Sequence, residues 1–151
     1  MNTPNNKRYR DMTESINVAF ASLLQSKELR DITVTDICVL AGIERSTFYA
    51  HYNDVAALAN DYAAQIEKQV SEQPHKENDF SWIFDYIKEH PDLFKIYFKL
   101  GVSQVSSDYK TIFFRNGAYS VAKMWYEDGC IEPSEQMGTI VKREYDKIYN
   151  N

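Results

Sequence analysis

Two cysteines in 151 residues, Cys38 and Cys130, are too few and too far apart for the paired spacing of a zinc site or a redox couple, so both read as packing or surface groups. No apolar run approaches the roughly 18 residues that a membrane-crossing helix requires. The polar opening MNTPNNKRYR also lacks the hydrophobic stretch of a secretion signal, and the chain is expected in the cytoplasm. Strand-like alternation, internal repeats and low-complexity tracts are missing as well. No nucleophile elbow, phosphate loop or paired-carboxylate constellation is visible, and His75 and His90 stand outside metal-ligand spacing, so no enzyme, cofactor or metal is expected.

Positive charge is also short. Seventeen Lys and Arg face 22 Asp and Glu, a net charge of -5, which is the wrong sign for a molecule that binds nucleic acid over its whole surface. The deficit is not spread evenly. Residues 1–52 hold six basic groups and six acidic ones, and the excess acid lies beyond them. Binding through this first third would depend on where single charges sit, and would be sensitive to salt.

The content is 44% hydrophobic and 26% charged, enough for one or two small globular units. From about Arg8 to Ser26, Met12, Ile16, Ala19, Phe20, Leu23 and Leu24 recur at steps of three and four, one apolar stripe of a first helix. A second begins where Thr33 can cap the opening turn and carries Val34, Ile37, Leu40 and Ala41 on one face. Gly42 then permits the positive φ of a tight turn between two steeply crossed helices.

The next helix, about Glu44 to Tyr52, places Phe48 and Tyr52 on one side and Ser46, Thr47 and Ala50 on the other. Arg45 and Tyr49 share one flank, and His51 lies on the opposite flank. Side chains near the start of such a helix reach base edges in a major groove, with Arg the commonest reader of guanine. Arg45, Ser46 and Thr47 occupy that place, unless Arg45 is instead taken up by Asp36 or Glu44. Phe48 and Tyr52 are expected in the core.

The run G-I-E-R-S-T-F-Y-A-H-Y, Gly42 to Tyr52, resembles the turn and recognition helix of TetR-type bacterial repressors, G-[IV]-x-x-x-[ST]-[FL]-Y-x-[HY]-[FVY]. The resemblance implies an all-α protein with a helix-turn-helix head. It further implies that Thr33 bonds a phosphate, that Thr35 points toward the groove, and that Arg45, Ser46 and Thr47 meet bases or nearby phosphates. Tyr49 and His51 would clamp the DNA backbone. One position departs from the family: a Lys that often opens its fourth helix is replaced by Val55. Lys7, Arg8 and Arg10, ahead of the first helix, are the available compensation.

After Asp54, an N-cap candidate, Leu58, Tyr62, Ile66 and Val70 define a fourth helix, and the polar stretch Ser71 to Asn78 follows as a break. The expected division is a head over 1–53 and a helical connecting, dimerisation and effector domain over 54–151. Of 21 aromatic residues, 15 lie at or beyond Phe80. That enrichment fits either a core or the lining of a pocket for a small hydrophobic or aromatic effector. A fifth helix carries Phe80, Ile83, Phe84 and Ile87, and a sixth runs to Leu100 with Gly101 as its stop.

The last two helices, about Asp108 to Asp128 and from Pro133 onward, carry surplus apolar surface. Phe114, Ala118, Val121, Ala122 and Trp125 with Met137, Val141, Tyr145 and Ile148 are the candidate contacts of a homodimeric four-helix bundle. TetR-type proteins use their last two helices in this way. The implied function is a homodimeric transcriptional regulator, by the family's habit a repressor, bound to a pseudo-palindrome in double-stranded DNA. The alternative is an adaptor or coactivator with weak DNA affinity that binds a protein partner.

Overall fold

The computed structural model describes residues 6–104 and 108–150. Residues 1–5, part of the opening weighed above as a secretion signal, lie outside them. The described residues form eight α-helices and no strand, so the architecture is all-α. In chain order these are α1 (Lys7–Ser26), α2 (Val34–Ala41), α3 (Arg45–Tyr49), α4 (Val55–Ser71), α5 (Ser81–Glu89), α6 (Pro91–Leu100), α7 (Tyr109–Glu127) and α8 (Ser134–Tyr149). None of the described helices is long and apolar enough to cross a membrane. The chain makes two compact units that divide between Ala63 and Ala64, inside α4.

In the first unit, α1 starts at Asn6, whose side chain accepts from the backbone N–H of Arg8. The 3.6-residue stripe of α1 buries Ile16, Ala19, Phe20 and Leu24. Ile37 and Cys38 of α2, Phe48 of α3, and Leu58, Ala59 and Ala63 of α4 are buried in the same unit. Each large side chain removed from water here contributes roughly 1.5–3 kcal/mol. Gly42 closes α2 with φ 66 and ψ 36, and its N–H and that of Ile43 return to carbonyls of the last turn. An L side chain at that φ would be strained, so glycine sets the angle at which the chain enters α3.

The third helix is shorter than its pattern predicts. Regular α-helix covers Arg45–Tyr49 only, and the chain continues in hydrogen-bonded turns, with His51 and Tyr52 both donating backbone N–H groups to the Phe48 carbonyl. The polar facing of the segment survives, since Phe48 is fully buried and Arg45, Ser46 and Tyr49 are exposed. Asp54 caps α4 by accepting from Ala57 N at 2.7 Å. A short 3-10 turn, Leu29–Asp31, leads from α1 to α2.

The second unit has an aromatic core of Phe84, Ile87, Phe94, Phe98, Trp125, Met137 and Val141. Phe84 meets Trp125 edge to face at 5.1 Å, and the indole N–H donates to the Glu132 carbonyl at 3.0 Å. Helices α5 and α8 approach so closely at Gly138 that a Cβ there would lie 2.5 Å from the backbone N of Ser81. Pro91 opens α6, where its missing N–H costs nothing.

Candidate nucleic-acid interface

The outward edge of the helix-turn-helix is organised around Arg45. One terminal nitrogen of its guanidinium donates to the Thr35 hydroxyl at 2.9 Å, and the other donates to the Tyr49 hydroxyl at 3.1 Å. Among the described residues Arg45 makes no ion pair, so its charge is held by two neutral oxygens and stays uncompensated. The carboxylates of Asp36 and Glu44, the sequence's other suitors for Arg45, are engaged elsewhere. Asp36 accepts from the backbone and side chain of Thr33, and Glu44 accepts weakly from Ser46 at 3.4 Å.

Thr33 is less free than a phosphate ligand would be. Its hydroxyl donates to Asp36 at 2.8 Å and accepts from Asp36 N at 3.1 Å, while Thr33 N donates to the same carboxylate, a complete capping box. The Thr33 N–H, the Thr33 hydroxyl and Lys27 hold the Asp36 carboxyl below its usual range. Of the remaining candidates, Thr35 and Ser46 are exposed and Thr47 is half-buried.

His51 is turned inward. Its ring stacks on Tyr9 of α1 with centroids 4.0 Å apart, and its Nδ1 lies 2.9 Å from the Thr13 hydroxyl. The Thr13 hydroxyl also lies 3.0 Å from the Tyr9 carbonyl, which ties the ring to the first turns of α1. Nε2 is buried and without a partner among the described residues. Burial pushes the imidazole below its ordinary pKa, toward the neutral form. The sequence assigned His51 to clamping the DNA backbone. In the structure it fastens the end of the recognition segment to α1, because the apolar side of that segment extends past Phe48 to this ring.

Tyr9 and Thr13, which make that attachment, carried no sequence signal beyond their place on α1. Lys7, Arg8 and Arg10 belong to the first turn of α1 and do not precede it. All three are exposed. Tyr52 is half-buried, donates to Asp61 at 2.9 Å, and is held in its phenol form chiefly by burial and secondarily by the Asp61 charge.

The second unit carries a partly open cavity of about 850 Å³ lined by Phe80, Phe84, Phe98, Phe114, Tyr119 and Tyr145 among others. A polar cluster lies at its wall. Glu67 pairs with Arg115 at 2.7 Å, accepts from the Tyr97 hydroxyl at 2.9 Å and from Ser103 N at 2.8 Å, and accepts from the Ser103 hydroxyl. Burial and the Glu67 charge raise the Tyr97 phenol far above its usual value, so it remains a donor. The pattern of apolar stripes could not reveal this cluster, since Glu67 lies 30 or more residues before the other three.

Three of the candidate dimer contacts are buried within the chain, and the other six are half-buried. Trp125, Met137 and Val141 are buried in the core, and Phe114, Ala118, Val121 and Ala122 pack against it. Tyr145 rests on the rings of Phe80 and Phe114, and the Ile148 carbonyl accepts from Lys110. A side chain 2% exposed, as Trp125 is, has no surface to offer a partner. The opposite face of α7 carries Tyr109, Phe113 and Met124, which are 92, 72 and 61% exposed. Asn116, Gly117 and Ser120 lie on that same face.

No protein-family model matches this chain, and no curated protein matches it. Among solved structures it is similar to the crystal structure of a gamma-butyrolactone receptor (ArpA-like protein). The two share 10% identity over 95% of this chain and 84% of the other, with a TM-score of 0.47.

Proposed function

We propose that the protein is a TetR-type transcriptional regulator that binds a pseudo-palindromic operator as a homodimer. The observation that carries this reading is the exposed Arg45 guanidinium, splayed between the Thr35 and Tyr49 hydroxyls on a helix whose other side is fixed by the buried Phe48 ring. Such a group enters a major groove with its fork already oriented and its charge unspent. Arg45, Ser46 and Thr47 are the base readers, Thr35 and Tyr49 steady Arg45 and contact phosphate, and Thr33 remains a phosphate ligand only if it shares its hydroxyl with Asp36. His51 positions the helix from inside.

The second subunit docks on the face of α7 that bears Tyr109, Phe113 and Met124, where small side chains between them allow close helix packing. The cavity of the C-terminal unit falls within the range of small-molecule sites and serves an effector, whose binding shifts the protein toward a state with altered operator affinity. The protein works in the cytoplasm, and repression is the expected sign.

A second reading is an adaptor with weak DNA affinity. It is favoured by the Glu44 carboxylate beside Ser46 at the entry to α3, by the zero balance of charge over 1–52, and by Val55 at the start of α4. Selection of bound fragments from the source genome decides between them. The regulator recovers a pseudo-palindrome with half-sites about 34–36 Å apart, whereas the adaptor enriches no sequence.

A further inference from the structure

We infer that the cavity of the C-terminal unit selects uncharged apolar molecules over anions, and that the Glu67–Arg115 pair in its wall keeps Arg115 from capturing an anion. The inference rests on the reading that this unit holds a small effector, and it specifies that effector's class.

A lone arginine in an aromatic cavity would attract an anion, and a lone glutamate would attract a cation. Here each cancels the other. Both side chains are about three-quarters withdrawn from solvent, 26% exposed for Arg115 and 22% for Glu67, and they touch at 2.7 Å. The carboxylate is also saturated: Oε1 accepts from Tyr97 and Ser103 N, and Oε2 from Arg115 and the Ser103 hydroxyl. Two acceptor oxygens with four donors have no place for a ligand ammonium. An anion that approached Arg115 would meet the Glu67 charge directly beside it and would surrender its hydration for a pair without net charge.

The other charged lining groups, Lys68, Glu77 and Asp79, carry more negative than positive charge, which also opposes an anion. Lys68 and Glu77 are exposed, and Lys68 faces Glu72 at 3.9 Å. Asp79 is tied to the backbone and hydroxyl of Ser81. His75 is stacked on Trp82. What remains is apolar surface in which aromatic rings alternate with Ile66, Val70, Ile83, Ile87 and Val102, and the small side chains of Ala118 and Ala122 leave room for a ring.

Two dyes with the same ring system provide the test. N-phenyl-1-naphthylamine is neutral, and 1-anilinonaphthalene-8-sulfonate adds one sulfonate. With the full-length protein, the neutral dye should bind at one molecule per chain, quench the tryptophan emission to which cavity-lining Trp82 contributes, and bind at least about tenfold more tightly than the sulfonate. Glu67→Gln keeps the shape of the carboxylate and removes its charge, so the sulfonate should gain affinity and the ratio should collapse. Ala118→Phe should abolish neutral-dye binding while the helical circular dichroism persists.

Equal affinity for the two dyes, preference for the sulfonate, no binding of either, or an unchanged ratio in Glu67→Gln would overturn the inference. Operator affinity measured with and without saturating neutral dye separates the two readings. Selective binding that leaves the operator untouched keeps the charge selectivity and removes the effector role. A dye that alters operator affinity without charge selectivity keeps the role and defeats the selectivity.

Discussion

Arg45 and Tyr49, one helical turn apart, are joined twice: the guanidinium donates to the phenol oxygen at 3.1 Å, and its central carbon lies 5.8 Å from the ring centroid. The ring and its hydroxyl therefore limit the rotamers of an exposed arginine, with Thr35 fixing the other end of the fork. Entropy that a free arginine would lose on reaching DNA is already spent in the folded head. Arg45→Lys retains charge but cannot bond both hydroxyls in one plane. That variant should lose discrimination at one base position while keeping its nonspecific binding, as read from competition against single-base variants of the selected operator. Tyr49→Phe should weaken binding to every sequence through the lost phosphate contact and, by releasing one end of the Arg45 fork, also reduce discrimination at the base that Arg45 reads.

His51 gives the head a dependence on acid. Its folded pKa lies below the ordinary value near 6.5 because burial disfavours the charged ring. The unfolded chain therefore binds the proton more readily. Stability from this group is complete above about pH 6.5 and is lost as pH falls toward the folded pKa. Urea midpoints between pH 7.5 and 5.5 should show the fall, and His51→Ala should flatten this part of it. The same variant should cost about 1–3 kcal/mol at neutral pH through the lost stack on Tyr9 and the lost bond to Thr13.

Gly138 is required by proximity. Its backbone is helical, yet a methyl group there would collide with the backbone of Ser81, which cannot swing aside as a flexible side chain would. Gly138→Ala should therefore destabilise the C-terminal unit by about 1–3 kcal/mol despite alanine's better helix propensity. A lowered chemical-denaturation midpoint checks this.

The two faces of α7 should respond differently to substitution. Phe113→Glu alters an exposed ring and should yield a folded monomer, because a like charge would be repeated across a symmetric interface. Trp125→Ala empties the core and should cost about 3–5 kcal/mol whatever the oligomeric state. Sedimentation and thermal melts of both proteins distinguish the faces. A dimeric Phe113→Glu would remove the proposed contact.

The helices were largely legible because their apolar stripes and punctuation agree, as Thr33, Gly42, Asp54, Pro91 and Gly101 illustrate. Tertiary demand was not legible. The stripe around Trp125 looked surplus only while the aromatic rings of α5 and α6 had no known partner, and those rings take it. His51 was read from its place in a motif, but its neighbour is 38 residues away on α1. The association of Thr35, Arg45 and Tyr49 was half visible: the one-turn spacing of Arg45 and Tyr49 could be laid out, whereas the reach back to α2 depends on the angle set at Gly42.

The most direct test of a DNA-reading outer edge on α3 is a salt titration of anisotropy on a genome-selected fragment, with wild type and Arg45→Ala compared. The account expects the logarithm of affinity to fall linearly with the logarithm of salt, and Arg45→Ala to lose about 1–3 kcal/mol on the selected fragment. Equal affinities for the two folded proteins, or no binding by wild type at low salt, would contradict it.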